Sequence, residues 1–433
     1  MSAEIIGVIG LFFLFALILL GMPVAFVMTL VGIVGFACIV SPTAAFDLAV
    51  RDFFSVFNLY TLTVLPLFIL MGQVAFHSGI SGRLFHSANC FLGHLRGGLA
   101  IATIGASAGF SAICGSTSAT AATMASVALP EMKKYNYDPA LATGVVAAGG
   151  SLGILIPPST IFIVYGIMTE QSIGALFLAG IVPGILLALL LIAVILIWTG
   201  LNPSLCAIAA KSSWRERLKS LKGIVETLIL FVLVMGGLFG GLFTPTETAS
   251  VGAFGVIVIA VIQGNLPWQG FKEAIGETVR ISCMVMMIVA GATVFGHFLA
   301  VTNIPMSIGE WIGSLGIGKA AVIVLLIIFY VILGCMMDSL AMILLTLPMV
   351  FPIMQHFGVD PIWFGVIMVI VAEVGVLTPP VGINVFVVAG VAKNVPLQTI
   401  FRGTARLIIA PIILIALLLL FPDLALWLPQ YLK

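Results

Sequence analysis

The sequence predicts an all-α integral membrane protein built from two inverted repeats, each with five spans and one re-entrant helical hairpin. Three observations carry this. Of 433 residues, 62% are hydrophobic and 8% charged, with a mean hydropathy of +1.30. Soluble domains carry about 25% charged residues, so a water-soluble fold of this length is excluded. The apolar runs have the roughly 20-residue length of a membrane-crossing helix, and they lack the period-two alternation of an outer-membrane barrel. Finally, the proline pair of GSLGILIPPST (Gly150–Thr160) returns in EVGVLTPPVGIN (Glu373–Asn384), so that Pro157 and Pro158 match Pro379 and Pro380 at an offset of 222 residues.

Taken in order, the first apolar run begins at Ile5 after a single acid, Glu4. It has no basic leader and no small-residue cleavage site, so Ile5–Leu20 is expected to be retained as a span. Spans are predicted at 5–20, 24–40, 60–78, 139–167, 174–200, 223–243, 248–264, 278–300, 361–392 and 404–421, and hairpins at 97–131 and 320–355. Phe46–Asn58 and Gly82–His94 are amphipathic and should lie at the membrane interface. The polar stretch Trp214–Lys222 joins the halves. The domain organisation is then a first repeat at 1–202, a cytoplasmic linker at 203–222 and a second repeat at 223–433.

In this topology 14 of the 17 basic residues fall on one side, leaving Arg51, Lys319 and Lys433 on the other. The positive-inside rule makes the first side cytoplasmic and puts both termini outside. The sorting requires each hairpin to enter and leave on the same side. A net charge of +1 offers no case for nucleic acid. The six cysteines are scattered without metal-ligand spacing and read as small packing residues.

The 222-residue register extends beyond the prolines. Pro23 matches Pro245, Phe76 matches Phe298, Pro130 matches Pro352, Asp138-Pro139 matches Asp360-Pro361, and Gly153 matches Gly375. Five spans is an odd number, so the second copy enters from the opposite side. Secondary transporters are commonly built in this way, with the site where broken helices meet at the midplane.

A proline pair has no amide donors and clashes with the preceding turn. Carbonyls are left free, and in lipid each costs several kcal/mol unless something satisfies it. Such oxygens suit a desolvated Na⁺, while the helix restarting after Pro158 or Pro380 presents an N-terminus that favours an anion. The first hairpin tip, CGSTSAT (Cys114–Thr120), gathers Ser116, Thr117, Ser118 and Thr120. Isolated hydroxyls let membrane helices pack closely, but four at a turn point to a site. Asp338 lies opposite Ser116 in the repeat. An acid between long apolar runs is expensive and usually functional, the bland alternative being a tip that reaches interfacial water. Glu373, the repeat partner of Ser151, either faces the second break or bonds helix ends. Glu247 reads as a helix cap after Thr244-Pro245. His297 and the methionines near 284–287 read as packing. With no Walker or HExxH motif and no acid–base pair, the chain is not expected to be an enzyme.

At these residues the sequence resembles the large permease (M) subunit of tripartite ATP-independent periplasmic (TRAP) transporters, the DctM-like family. The similarity rests on GMPVAF (Gly21–Phe26), GSTSATAAT (Gly115–Thr123), GILIPPS (Gly153–Ser159), TPTE (Thr244–Glu247) and GVLTPPVGINVFV (Gly375–Val387), and it runs essentially end to end. The resemblance implies an elevator-type fold and Na⁺-driven uptake of an organic acid in a bacterial or archaeal inner membrane. It also implies two partners: a small four-helix (Q-type) membrane subunit, expected as a separate polypeptide, and a periplasmic (P-type) substrate-binding protein. Two or more coupling Na⁺ ions are implied and no organic cofactor. Carried onto this chain, one Na⁺ site would lie near Ser116, Ser118, Gly150, Gly153 and Pro157, and another near Gly334, Asp338, Gly375, Thr378 and Pro379. Substrate would touch Thr120, Ser159 and Asn384. The halves differ here, since GCMMDS stands opposite GSTSAT. Residues 97–167 and 320–392 would move as a unit against the remaining scaffold. The competing expectation is a binding-protein-independent, Na⁺- or H⁺-coupled carboxylate carrier of related fold.

Overall fold

The structure, a computed structural model, describes residues 2–207, 211–314, 316 and 318–432. Met1, Lys433 and positions 208–210 of the expected linker lie outside the described residues, and with them the expected placement of the chain ends. Among the described residues there is no strand. The first half holds α1 (Ala3–Leu19), α2 (Val24–Ile39), α3 (Pro42–Phe57), α4 (Val64–His77), α5 (Ile80–Leu92), α6 (Gly98–Cys114), α7 (Thr117–Lys134), α8 (Pro139–Leu155), α9 (Thr160–Met168) and α10 (Ile173–Leu201). The second holds α11 (Trp214–Phe239), α12 (Pro245–Ile262), α13 (Trp268–Thr302), α14 (Ile304–Ser314), α15 (Lys319–Gly334), α16 (Ser339–His356), α17 (Pro361–Leu377), α18 (Ile383–Val391), α19 (Leu397–Leu407), α20 (Ile409–Leu420) and α21 (Asp423–Tyr431). Among the described residues, eight helical segments are long and apolar enough to cross a membrane. The predicted spans at 5–20 and 24–40 appear as the shorter apolar helices α1 and α2. The protein is thus a multi-pass helical membrane protein.

Helix bounds follow the repeat register. Thr117–Lys134 and Ser339–His356 differ by the 222-residue offset at both ends, as do Pro139–Leu155 and Pro361–Leu377. The local causes are shared. Asp138 Oδ1 accepts from the Ala140 and Leu141 amides at 2.9 and 3.1 Å, and Asp360 Oδ1 accepts from Ile362 and Trp363 at 2.9 Å each. A proline follows at the first helical position, where no amide is missed. α8 is buried from Leu141 to Leu155 and α17 from Trp363 to Leu377, so both broken helices run through the centre of the molecule.

The register is broken in two places: the continuous α10 has α19 and α20, divided at Ile408, as its counterpart, and the region of α3 and α4 differs in the opposite sense. In the first half the interfacial α3 and the span α4 are separated by Asn58, Leu59 and a 3-10 turn at Tyr60–Thr63. In the second half the counterpart is one 35-residue helix, α13. The position matching Asn58 is Arg280, flanked by Val279 and Ile281, and nothing in that run interrupts a helix. The predicted span at 278–300 is therefore the second part of a longer rod.

The second half is fastened to the first at α5. Ser87 Oγ donates to the Ser220 carbonyl at 2.7 Å and Arg83 Nε to the Gly223 carbonyl at 3.2 Å. The buried Arg217 donates to the Cys90 carbonyl at 3.2 Å and lies over the Trp214 and Phe91 rings.

Candidate functional site

The first hairpin turns on two residues. Gly115 takes a left-handed conformation (φ 64°), which glycine adopts without strain. Ser116 is extended and caps α7 by accepting from the Ala119 amide at 3.4 Å. Thr117, Ser118 and Thr120 are therefore in the first turn of α7 rather than in a loop. Ser116 and Ser118 share a hydroxyl contact of 3.3 Å. The tip is pressed onto the first break. Thr160 Oγ1 donates to the Gly115 carbonyl at 3.2 Å. Gly153 faces the Ser116 carbonyl, and Gly150 faces Ala121, each so closely that a side chain would collide. The structure thus brings Ser116, Ser118, Gly150 and Gly153 together beside Pro157. Pro157 and Pro158 have no N–H for the Gly153 and Ile154 carbonyls, leaving these oxygens free of the helix ladder.

The second tip repeats the plan with other chemistry. Asp338, in the place of Ser116, caps α16 by accepting from the Leu340 amide at 3.1 Å. Gly334 and Gly375 touch backbone to backbone. The Val381 amide donates to the Cys335 carbonyl at 3.1 Å, and the Thr378 hydroxyl turns back to the Val374 carbonyl. Gly334, Asp338, Gly375, Thr378 and Pro379 therefore also fall in one neighbourhood. Both proline pairs are joined by cis peptide bonds. The halves differ in exposure: Pro157, Pro158 and Ser159 are buried, while Pro379 and Pro380 are exposed.

Between the two tips lies a cavity of about 190 Å³, room for roughly six waters or a small organic molecule. Ser116, Ser118, Thr160, Asp338 and Ser339 line it from the tips and the first break, and α4 and α13 close it from the other side. Among the described residues no Lys or Arg side chain lines it. The predicted substrate contacts lie outside it. The Thr120 hydroxyl donates to the Ser116 carbonyl at 2.8 Å, and Ser159 caps α9 through the Phe162 amide at 3.4 Å. Asn384 is fully buried, with Nδ2 on the Ala147 carbonyl at 3.3 Å and Oδ1 unpartnered among the described residues. Glu373 is sealed between helices, and neither carboxyl oxygen has a partner among the described residues. Glu247 forms the expected capping box with Thr244. The sequence reading missed Gln73, which borders the cavity from α4. An amide inside an otherwise apolar span was the available signal.

Two broken helices crossing the core, each met by a hairpin tip around a polar cavity, define a membrane transporter. The fold agrees with that of the Alcanivorax borkumensis YdaH transporter, whose crystal structure superposes with a TM-score of 0.60 over 87% of each chain at 15% identity. The chain belongs to the DctM component family of tripartite ATP-independent periplasmic transporters, whose sequence profile matches residues 11–424. It is 37% identical over 395 residues to the C4-dicarboxylate TRAP transporter large permease protein DctM of Pseudomonas aeruginosa, covering 90% of this chain and 91% of that one. It is 33% identical over 436 residues to the sialic acid large permease SiaM of Vibrio cholerae, covering 99% and 98%. The isethionate permease DctMQ of Oleidesulfovibrio alaskensis is 35% identical over 402 residues, and the match spans 88% of this chain and 60% of that longer protein.

Proposed function

We propose that this chain is the membrane-translocating subunit of a Na⁺-coupled organic-acid importer and not an enzyme. The observation that supports it most is the cavity between the tips. It offers hydroxyl oxygens, an acid and nearby freed carbonyls, but no fixed cation. A carboxylate or sulfonate entering such a site needs its charge balanced by something mobile, and Na⁺ held by the oxygens of the two tips would do this. The acid belongs to the range named for the relatives, which includes C4-dicarboxylates, sialic acid and isethionate. A periplasmic binding protein delivers it, and a small membrane subunit widens the scaffold.

In this reading the chain sits in the cytoplasmic membrane with its basic linker inside and its termini outside. The two halves are inverted copies. The unit 97–167 with 320–392 moves as an elevator past the scaffold. Each uncompensated charge carried inward is driven by about 2.3 kcal/mol per 100 mV, so more than one Na⁺ per monocarboxylate makes uptake voltage-assisted.

The test is uptake by the reconstituted complex across succinate, N-acetylneuraminate, isethionate and pyruvate, with and without Na⁺ and the binding protein. Accumulation that requires both supports the proposal. Uptake without the binding protein, or driven by a pH gradient in Na⁺-free buffer, replaces it with the independent or proton-coupled carrier. Flux that never concentrates the acid identifies a channel.

A further inference from the structure

α4 is apolar from Val64 to Phe76 apart from Gln73. A primary amide in a membrane span costs several kcal/mol unless its hydrogen-bonding capacity is used. No described residue hydrogen-bonds the Gln73 side chain, which is half-buried and borders the cavity between the hairpin tips. Its neighbour fixes that position. Gly72 stands so close to the Cys114 carbonyl and α-carbon that a side chain would not fit. The α4 backbone therefore touches the end of α6 beside the first tip. Ile69, Gly72 and Gln73 fall on one helical face at positions i, i+3 and i+4, and all three line the cavity.

Several side chains of the cavity wall can be compared as proton donors to an incoming anion, and the Thr117 hydroxyl, also on the lining, makes no hydrogen bond among the described residues. The Thr160 hydroxyl proton is committed to the Gly115 carbonyl. Ser116 and Ser118 spend one of their two protons on each other. Ser339, buried in the cavity wall, has a hydroxyl without a partner among the described residues. Gln73 brings two uncommitted N–H donors from the opposite wall. The repeat partner of Gln73 is Phe295, fully buried against Phe298, so only the first half presents an amide here.

We propose that Gln73 is a specificity-determining residue of the scaffold, its amide N–H donating to an anionic oxygen (carboxylate or sulfonate) of the organic acid held between the two hairpin tips. This rests on the transport reading above. It adds that recognition is shared between the moving tips and a stationary helix, and is complete only while the tip stands beside Gly72.

The test uses the full complex in proteoliposomes with its binding protein, and measures KM and Vmax for the four acids named above. Loss of one hydrogen bond to a charged group should raise KM roughly tenfold or more in Gln73→Leu. Gln73→Glu, which replaces the donor by an acceptor of nearly the same shape, should raise it further. A Gln73→Cys variant should react with a negatively charged methanethiosulfonate reagent, and the transported acid should slow that reaction. A wild-type complex that accumulates an acid, with Gln73→Leu within twofold of its KM or with Gln73→Cys unreactive, overturns the assignment alone. A wild-type complex that accumulates none of the acids overturns the transport reading and the assignment with it. Normal detergent-solubilised thermal unfolding of the variants separates either result from misfolding.

Discussion

Gly375 offers the sharpest test of the second tip. In Gly375→Ala the new methyl group would stand 2.6 Å from the Gly334 α-carbon and carbonyl carbon. Both are backbone atoms, and no rotamer change relieves the contact. The tip must withdraw until the separation reaches an ordinary 3.4 Å. Overpacking of this kind costs about 1–3 kcal/mol, while alanine is the better helix former by about 1 kcal/mol, so the protein should still fold. A ligand constellation tolerates only about 0.5 Å of displacement, less than the withdrawal requires. The Na⁺ concentration for half-maximal uptake should therefore rise at least about tenfold, equivalent to about 1.4 kcal/mol of lost binding. The assay is Na⁺-dependent uptake in proteoliposomes, with Gly313→Ala, whose methyl group meets open space, as control. A folded Gly375→Ala protein whose Na⁺ dependence matches the control would refute the placement of an ion beside this glycine.

Gly153→Ala drives a methyl group into the Ser116 carbonyl and should weaken Na⁺ dependence comparably, read in the same uptake assay. Arg217→Met removes a charged hydrogen bond and two ring contacts and should destabilise the complex by about 3 kcal/mol. Arg217→Lys should not rescue it, and thermal unfolding decides. Burial raises the Asp52 carboxyl above the ordinary aspartate range, with His297 at 3.4 Å and Arg51 acting against the shift. The folded protein then holds that proton to higher pH than the unfolded chain, so its stabilising contribution is lost as pH rises from about 4 through the shifted value. Asp52→Asn should flatten that loss in thermal unfolding followed against pH, and an unchanged slope would count against it. Tyr165→Phe leaves the Pro361 carbonyl without its hydroxyl donor and should cost about 1 kcal/mol, measurable as a lowered Tm.

The breaks were legible because two adjacent prolines remove two amides in succession, whereas a single proline such as Pro183 sits inside the continuous α10. The Asp138 and Asp360 caps were legible as an Asp-Pro step repeated in register. The capping box of Glu247 was equally local. What escaped depended on how each polar group is satisfied, in some cases within its own turn and in others by a distant partner. Thr120 and Ser159 look like free hydroxyls in the sequence, yet each satisfies a backbone group within its own turn. Asn384 was expected at the substrate, and the closeness of α8, which gives its amide nitrogen the Ala147 carbonyl, could not be read from the sequence. Gln73 stood out as an amide in an apolar span, but its place beside the first tip depends on the approach of α6 to Gly72. The continuity of α13 was hidden by the first half, whose Asn58 break invited the same division in the second.

Tyr165 and Asn384 also say something about biosynthesis. The Tyr165 hydroxyl finds its acceptor 196 residues further on, and Asn384 reaches back 237 residues to Ala147. At roughly 5–20 residues per second on the ribosome, Tyr165 waits about ten to forty seconds for Pro361 to be made. Through that interval the first half packs α6, α7 and α8 on one another but lacks the contacts that α17 and α18 later supply. The central pairing of α8 and α17 must therefore assemble after insertion, as late, long-range contacts that the nascent first half cannot supply to itself.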